Sequence, residues 1–130
     1  MSDATDLGLF ADTMACGGST KAGYSLLKPE TIDLLRTDQV PTVLRHNNFG
    51  CAAGEEFSYG LGVYTMVRPI GETPAPLGVF GWDGAAGAYL MCDPLNAVSI
   101  AFITHVHGWT QIRPVFHKPI RDAVYAALQD

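Results

Sequence analysis

Gly78-Val79-Phe80-Gly81-Trp82-Asp83-Gly84-Ala85-Ala86-Gly87-Ala88-Tyr89-Leu90-Met91-Cys92-Asp93-Pro94-Leu95-Asn96 runs on into Ala97-Val98-Ser99-Ile100-Ala101-Phe102-Ile103-Thr104. It reads as a strand, a glycine-rich crossing, a second strand, an Asp-Pro turn and a third strand, because β-branched and aromatic residues run between glycine and proline punctuation. The connections are short. A parallel return needs a dozen residues or more, so the three strands are antiparallel. In the last strand Val98, Ile100 and Phe102 alternate with Ser99, Ala101 and Ile103. Both faces are largely apolar, which predicts cover on both sides.

Before this stretch, residues 57–67 also have strand chemistry. Leu61, Val63, Thr65 and Val67 share one face, and Gly60, Gly62, Tyr64 and Met66 the other. The glycines leave that second face bare and open to another backbone. Residues 68–76, with Pro69, Pro74 and Pro76, form a loop at a sheet end.

Asp3 caps a first helix, with Asp6 favouring its positive end. Leu7, Phe10, Ala11 and Met14 make its buried face, and Gly17-Gly18 stops it. Pro29 opens a second helix that fades near Thr37. Residues 40–56 have no sustained period and read as a long irregular connection, as do residues 105–116. Pro119 opens a final helix with Ile120, Ala123, Val124, Ala127 and Leu128 as one stripe. The expectation is a single α+β domain over residues 1–130: a small antiparallel sheet, three main strands, flanked by helices. A helix beginning at Asp3 suits a chain that starts in the middle of a fold.

Hydrophobic residues make up 48% and charged residues 16% of the 130, enough apolar surface to bury a core. The net charge of −5 argues against nucleic acid, which needs a cationic footprint. No apolar run approaches the roughly 20 residues of a membrane span. The start, Met1-Ser2-Asp3-Ala4-Thr5-Asp6, lacks the basic and apolar regions of a secretion signal. Cys16, Cys51 and Cys92 are odd in number and widely spaced, which fits free thiols and a cytoplasmic location.

Five motifs in order carry a family resemblance. They are Asp6-Leu7 with Phe10; Leu26-Leu27-Lys28-Pro29-Glu30-Thr31; Tyr59-Gly60-Leu61-Gly62; Gly81-Trp82-Asp83-Gly84-Ala85-Ala86-Gly87; and Asp93-Pro94. Together they resemble the C-terminal part of the serine β-lactamase-related hydrolases, the group of class C β-lactamases, penicillin-binding proteins and esterases. The resemblance implies a partial β-lactamase/transpeptidase-like fold. It also implies ester or amide hydrolysis through an acyl-serine in the complete enzyme, without a cofactor. Trp82-Asp83-Gly84 looks like a Trp-x-Gly variant of the family's third motif. By that likeness Trp82, Asp83, Gly84, Ala85 and Ala86 border substrate, and Ala85 N–H is an oxyanion donor.

The other two motifs are not met. Ser25-Leu26-Leu27-Lys28 has the letters of Ser-x-x-Lys, but Pro29 starts the helix and leaves Ser25 outside it, away from Lys28. No Tyr-x-Asn occurs. The chain is therefore expected to be inactive alone, with the nucleophile in a missing N-terminal half. The alternative is a non-catalytic binding or structural module that self-associates through exposed edges as a homo-oligomer.

Several residues have plainer readings. Trp82 can pack under a loop, and Asp83 reads as an exposed strand carboxylate. His105 and His107 alternate onto one strand face, yet two ligands at a fraying strand end read as solvated, not as a metal site. His46 and His117 carry no partner signal. Cys92 reads as a small core residue, since thiolate activation needs a positive neighbour.

Overall fold

Asp93 organises one of the tight turns of the sheet. In the computed structural model, which describes residues 3–46, 54–71 and 75–129, its Oδ1 accepts from Leu95 N at 2.9 Å and Asn96 N at 3.3 Å. Its Oδ2 accepts from Asn96 Nδ2 and from Tyr125 Oη, each at 2.7 Å. Ala97 takes the left-handed conformation (φ 52°) to complete the turn. The turn joins β4, Tyr89–Asp93, to β5, Val98–Phe102. With β3, Phe80–Asp83, these are the three strands expected from the sequence, antiparallel and in hairpin order.

Two shorter strands extend the sheet. The segment over residues 57–67 is not one strand but a hairpin, β1 (Phe57–Tyr59) and β2 (Tyr64–Met66). Gly62 turns the chain at φ 75°, and Gly60 N donates to Val63 O at 2.8 Å. The close backbone approach expected at these glycines is present at Gly60 and absent at Gly62, where a Cβ would meet nothing within 4 Å. A Cβ on Gly60 would lie 2.0 Å from Leu35 O, the carbonyl that Leu61 N caps at 2.9 Å. The five strands form one antiparallel meander in the order β1-β2-β3-β4-β5.

Helices cover both faces. α1 (Ala4–Ala15) starts in a reciprocal capping box between Asp3 and Asp6, and Gly17 and Gly18, both at positive φ, follow it. α2 (Pro29–Arg36) carries Pro29 in its first turn. Ala11, Met14 and Ala15 of α1 and Ile32 of α2 pack with Phe80 and Cys92 on one side of the sheet. Tyr125 of α4 (Lys118–Ala127), with Ile120 and Val124, packs on Tyr64, Met66, Tyr89, Met91 and Ile100 on the other. The fold is α+β, as expected.

Four local expectations are corrected. Phe10 is 46% exposed, because α1 turns Ala11, Thr13, Met14 and Ala15 inward instead. Ala101 and Ile103 are exposed and Val98, Ser99 and Phe102 half-buried, so only Ile100 of β5, an edge strand, is buried. A short helix α3 (Thr42–His46) interrupts the connection over residues 40–56; positions 47–53 lie outside the described residues. The final helix begins earlier, in a π-helical turn Arg113–His117, and its inward stripe is His117, Arg121 and Tyr125, flanked by Ile120 and Val124. Ala123, Ala127 and Leu128 are exposed. Polar residues can face the sheet because each has a partner: His117 with Gly87 O, Arg121 with Glu56, Tyr125 with Asp93.

Candidate functional site

The end of β3 divides its side chains between two faces. Trp82 is 49% exposed, on the face shared with Phe80, and its ring lies 6.0 Å from Tyr64 and 6.4 Å from Tyr59. It is a half-open aromatic edge, not a residue packed out of sight. Asp83 points the other way, with a side chain only 10% exposed. The exposure expected for it does not hold. Arg113 Nε donates to Asp83 Oδ2 and Arg113 Nη2 to Oδ1 at 2.9 Å, a bidentate ion pair across 30 residues of chain. Burial works against ionisation of this carboxyl. The hydrogen bonds and charge of Arg113, with the His117 ring close by, outweigh it and bring the pKa down to about 2.

After Asp83 the chain makes a narrow turn. Gly84 N donates to Ala88 O and Gly87 N to Gly84 O, both at 2.9 Å. Gly87 sits at φ +83°, and a Cβ there would meet Thr104 Cγ2 at 2.9 Å. Val106 N donates to Ala86 O at 3.1 Å. His117 Nε2 donates to Gly87 O at 2.8 Å, its ring stacked on Tyr89 at 4.7 Å and 8°. Arg113 and His117, four residues apart on one helical turn, thus grip the two ends of the same turn from behind. Between those ends Gly84 and Ala85 are exposed. Ala85 N–H lies beyond the ladder of β3 and donates to no acceptor among the described residues.

The remaining candidates stay apart from this turn. Ser25 is exposed ahead of α2 and donates to Leu27 O at 3.2 Å, with Lys28 as the helix cap. Cys92 is fully buried, and burial, with Asp12 nearby, pushes its thiol up to about 12. His105 and His107 are exposed in the loop after β5. The side chain of His46 lies outside the described residues. Among the described residues no three His, Cys, Asp or Glu side chains gather as metal ligands, and no helix is long and apolar enough to cross a membrane. Sequence reasoning missed Arg113 and His117. Their four-residue spacing was the available signal, and nothing local connected it to Asp83.

This sheet and its helices define a β-lactamase-like fold. EstCE1, described as a hydrolase with promiscuous acyltransferase activity, superposes with a TM-score of 0.70 at 25% identity, over 95% of this chain and 30% of that one. Simvastatin synthase LovD from Aspergillus terreus (the LovD6 mutant) superposes with a TM-score of 0.63 at 22% identity, over 80% of this chain and 29% of that one. In sequence, 87 residues are 34% identical to Protein Rv1367c of Mycobacterium tuberculosis H37Rv, covering 62% of this chain and 21% of the relative. Uncharacterized protein MT1414 of strain CDC 1551 matches to the same extent. No protein-family profile matches the chain. The chain spans about a fifth of the length of the curated relatives it matches.

Proposed function

We propose that this chain is the C-terminal, oxyanion-bearing portion of a β-lactamase-related serine hydrolase that cleaves an ester or amide through an acyl-serine. The nucleophile and its basic partner come from residues outside these 130. Ala85 N–H is one donor to the developing negative oxygen. Gly84 lets the scissile group approach the backbone, Trp82 borders the acyl group, and Ala86 completes the rim. Asp83 touches no substrate in this reading; it anchors the strand end. One observation carries the proposal: an exposed N–H without an acceptor among the described residues, on a turn fixed from both sides. The acyl chemistry in the description of EstCE1 supports it.

A fluorophosphonate or penicillin probe is expected to leave the isolated chain unlabelled. A stoichiometric serine adduct, above all at Ser25, overturns the reading. The reading frame before Met1 is expected to encode Ser-x-x-Lys and Tyr-x-Asn. In a protein that includes those residues, Ala85→Pro removes the donor and slows acylation about a hundredfold, the equivalent of about 3 kcal/mol. An unchanged acylation rate removes Ala85 from the site.

A second reading is a non-catalytic module that self-associates. What favours it is the edge strand β5 together with exposed Leu9 and Phe10 on α1, which packs against β5, and exposed Ile103 just beyond that strand.

A further inference from the structure

On the α4 side of β3, behind the turn, lies a cavity of about 510 Å³. That is within the range of small-molecule sites, roughly 300–1,000 Å³. Phe57, Tyr64, Ile70 and Tyr89 give it apolar walls, and His117 and Arg121 face it from the helix. Their side chains are 6% and 3% exposed, yet His117 Nδ1 and Arg121 Nη2 have no hydrogen-bond partner among the described residues. A buried polar nitrogen left this way is destabilising, more so when charged. Nδ1 faces Asp83 Oδ2 at 3.6 Å, beyond hydrogen-bond reach. The two residues are four apart, so they stand on one helical face about 5–6 Å from each other; with Nε2 donating to Gly87 O, Nδ1 of a neutral His117 is an acceptor, and the donor of the pair is Arg121.

The acids around the cavity are already matched. Asp83 pairs with Arg113, Glu56 with Arg121 Nη1 at 2.8 Å, and Glu55 with Arg68. Lys118, also on the wall, pairs with Asp122. What is left over is donor capacity on Arg121, which calls for an acceptor, in a largely apolar chamber without an uncompensated negative charge among the described residues.

We propose that this cavity binds a small carboxylate with an aromatic or aliphatic body, its head on Arg121 Nη2 beside His117 and its body against Phe57, Tyr64 and Tyr89. The site is separate from the oxyanion turn and does not rest on the hydrolase reading. An occupant would nevertheless touch the ring that holds Gly87 O.

Benzoate titrated into the folded chain, followed by amide and side-chain NMR, tests this against its neutral isostere benzamide. Saturable shifts centred on Arg121, His117 and Tyr89 are expected, with a dissociation constant on the order of 1 mM or below and about tenfold weaker binding of benzamide. Arg121→Lys keeps a cation for Glu56 but loses the second nitrogen; about a tenfold loss is expected. Ile70→Trp narrows the chamber without touching a charge, and loss of binding is expected there too. Absence of saturable shifts in the folded wild type means a cavity holding water only and overturns the proposal. Binding that both variants leave intact places the carboxylate elsewhere and overturns it equally.

Discussion

Asp83 would not keep its charge at this depth without Arg113, whose planar fork meets both carboxylate oxygens. Its folded pKa, about 2, lies below the ordinary 3.8. A carboxyl depressed in this way adds stability in full above about pH 4 and loses it as pH falls toward 2. Asp83→Asn is expected to lower stability by about 1–3 kcal/mol at neutral pH, with the gap to wild type closing as the medium is acidified through that window. Urea midpoints across pH measure it, and a gap independent of pH would mean that the pair is not what Asn disrupts. The Trp-Asp-Gly spelling and the glycines around Ala85 were visible in the chain, and with them the exposed turn. The burial of Asp83 was not, because its partner lies 30 residues away in a helical turn within a stretch that reads as a connection.

The final helix shows how an element can be right in kind and wrong in orientation, and its opening π-helical turn, Arg113–His117, falls in a stretch that reads as a connection. Apolar spacing placed Ile120, Ala123, Val124, Ala127 and Leu128 inward, whereas His117, Arg121 and Tyr125 are the residues buried. Hydrophobic periodicity cannot register a polar side chain whose hydrogen bond is supplied by a distant strand or turn. For the same reason the helix has a task beyond packing: it holds the Ala85 turn. His117→Phe keeps an aromatic ring on Tyr89 and deletes the bond to Gly87 O. Amide exchange at Gly87 and Val106 is expected to rise about fivefold, as the loss of one hydrogen bond of about 1 kcal/mol implies, while Met91 in β4 keeps its wild-type rate. Equal protection of the turn in both proteins would show that His117 does not hold it.

The whole molecule is a five-stranded sheet with helices on both sides and with β1 and β5 as its outer strands; Gln39 N binds Tyr59 O of β1 at 2.8 Å, which leaves β5 as the more open edge among the described residues. Unpaired edges with apolar residues beside them favour pairing with another chain. Self-association at micromolar concentration is expected in sedimentation, and Phe10→Asp combined with Ile103→Lys, both at exposed positions, is expected to shift it to monomer. A wild type that sediments as a monomer counts against the self-associating module.

Local chemistry was enough for the strands at residues 80–102, the antiparallel order, the cap at Asp3, the helix start at Pro29 and the close approach at Gly60, since each depends on spacing, on φ or on one nearby hydrogen bond. It could not say which faces α1, β5 and α4 present, that residues 57–67 fold back on themselves, or that Asp83, Arg113, His117 and Gly87 meet. Those outcomes depend on partners brought together by packing, and a polar residue turns inward or outward according to whether such a partner arrives.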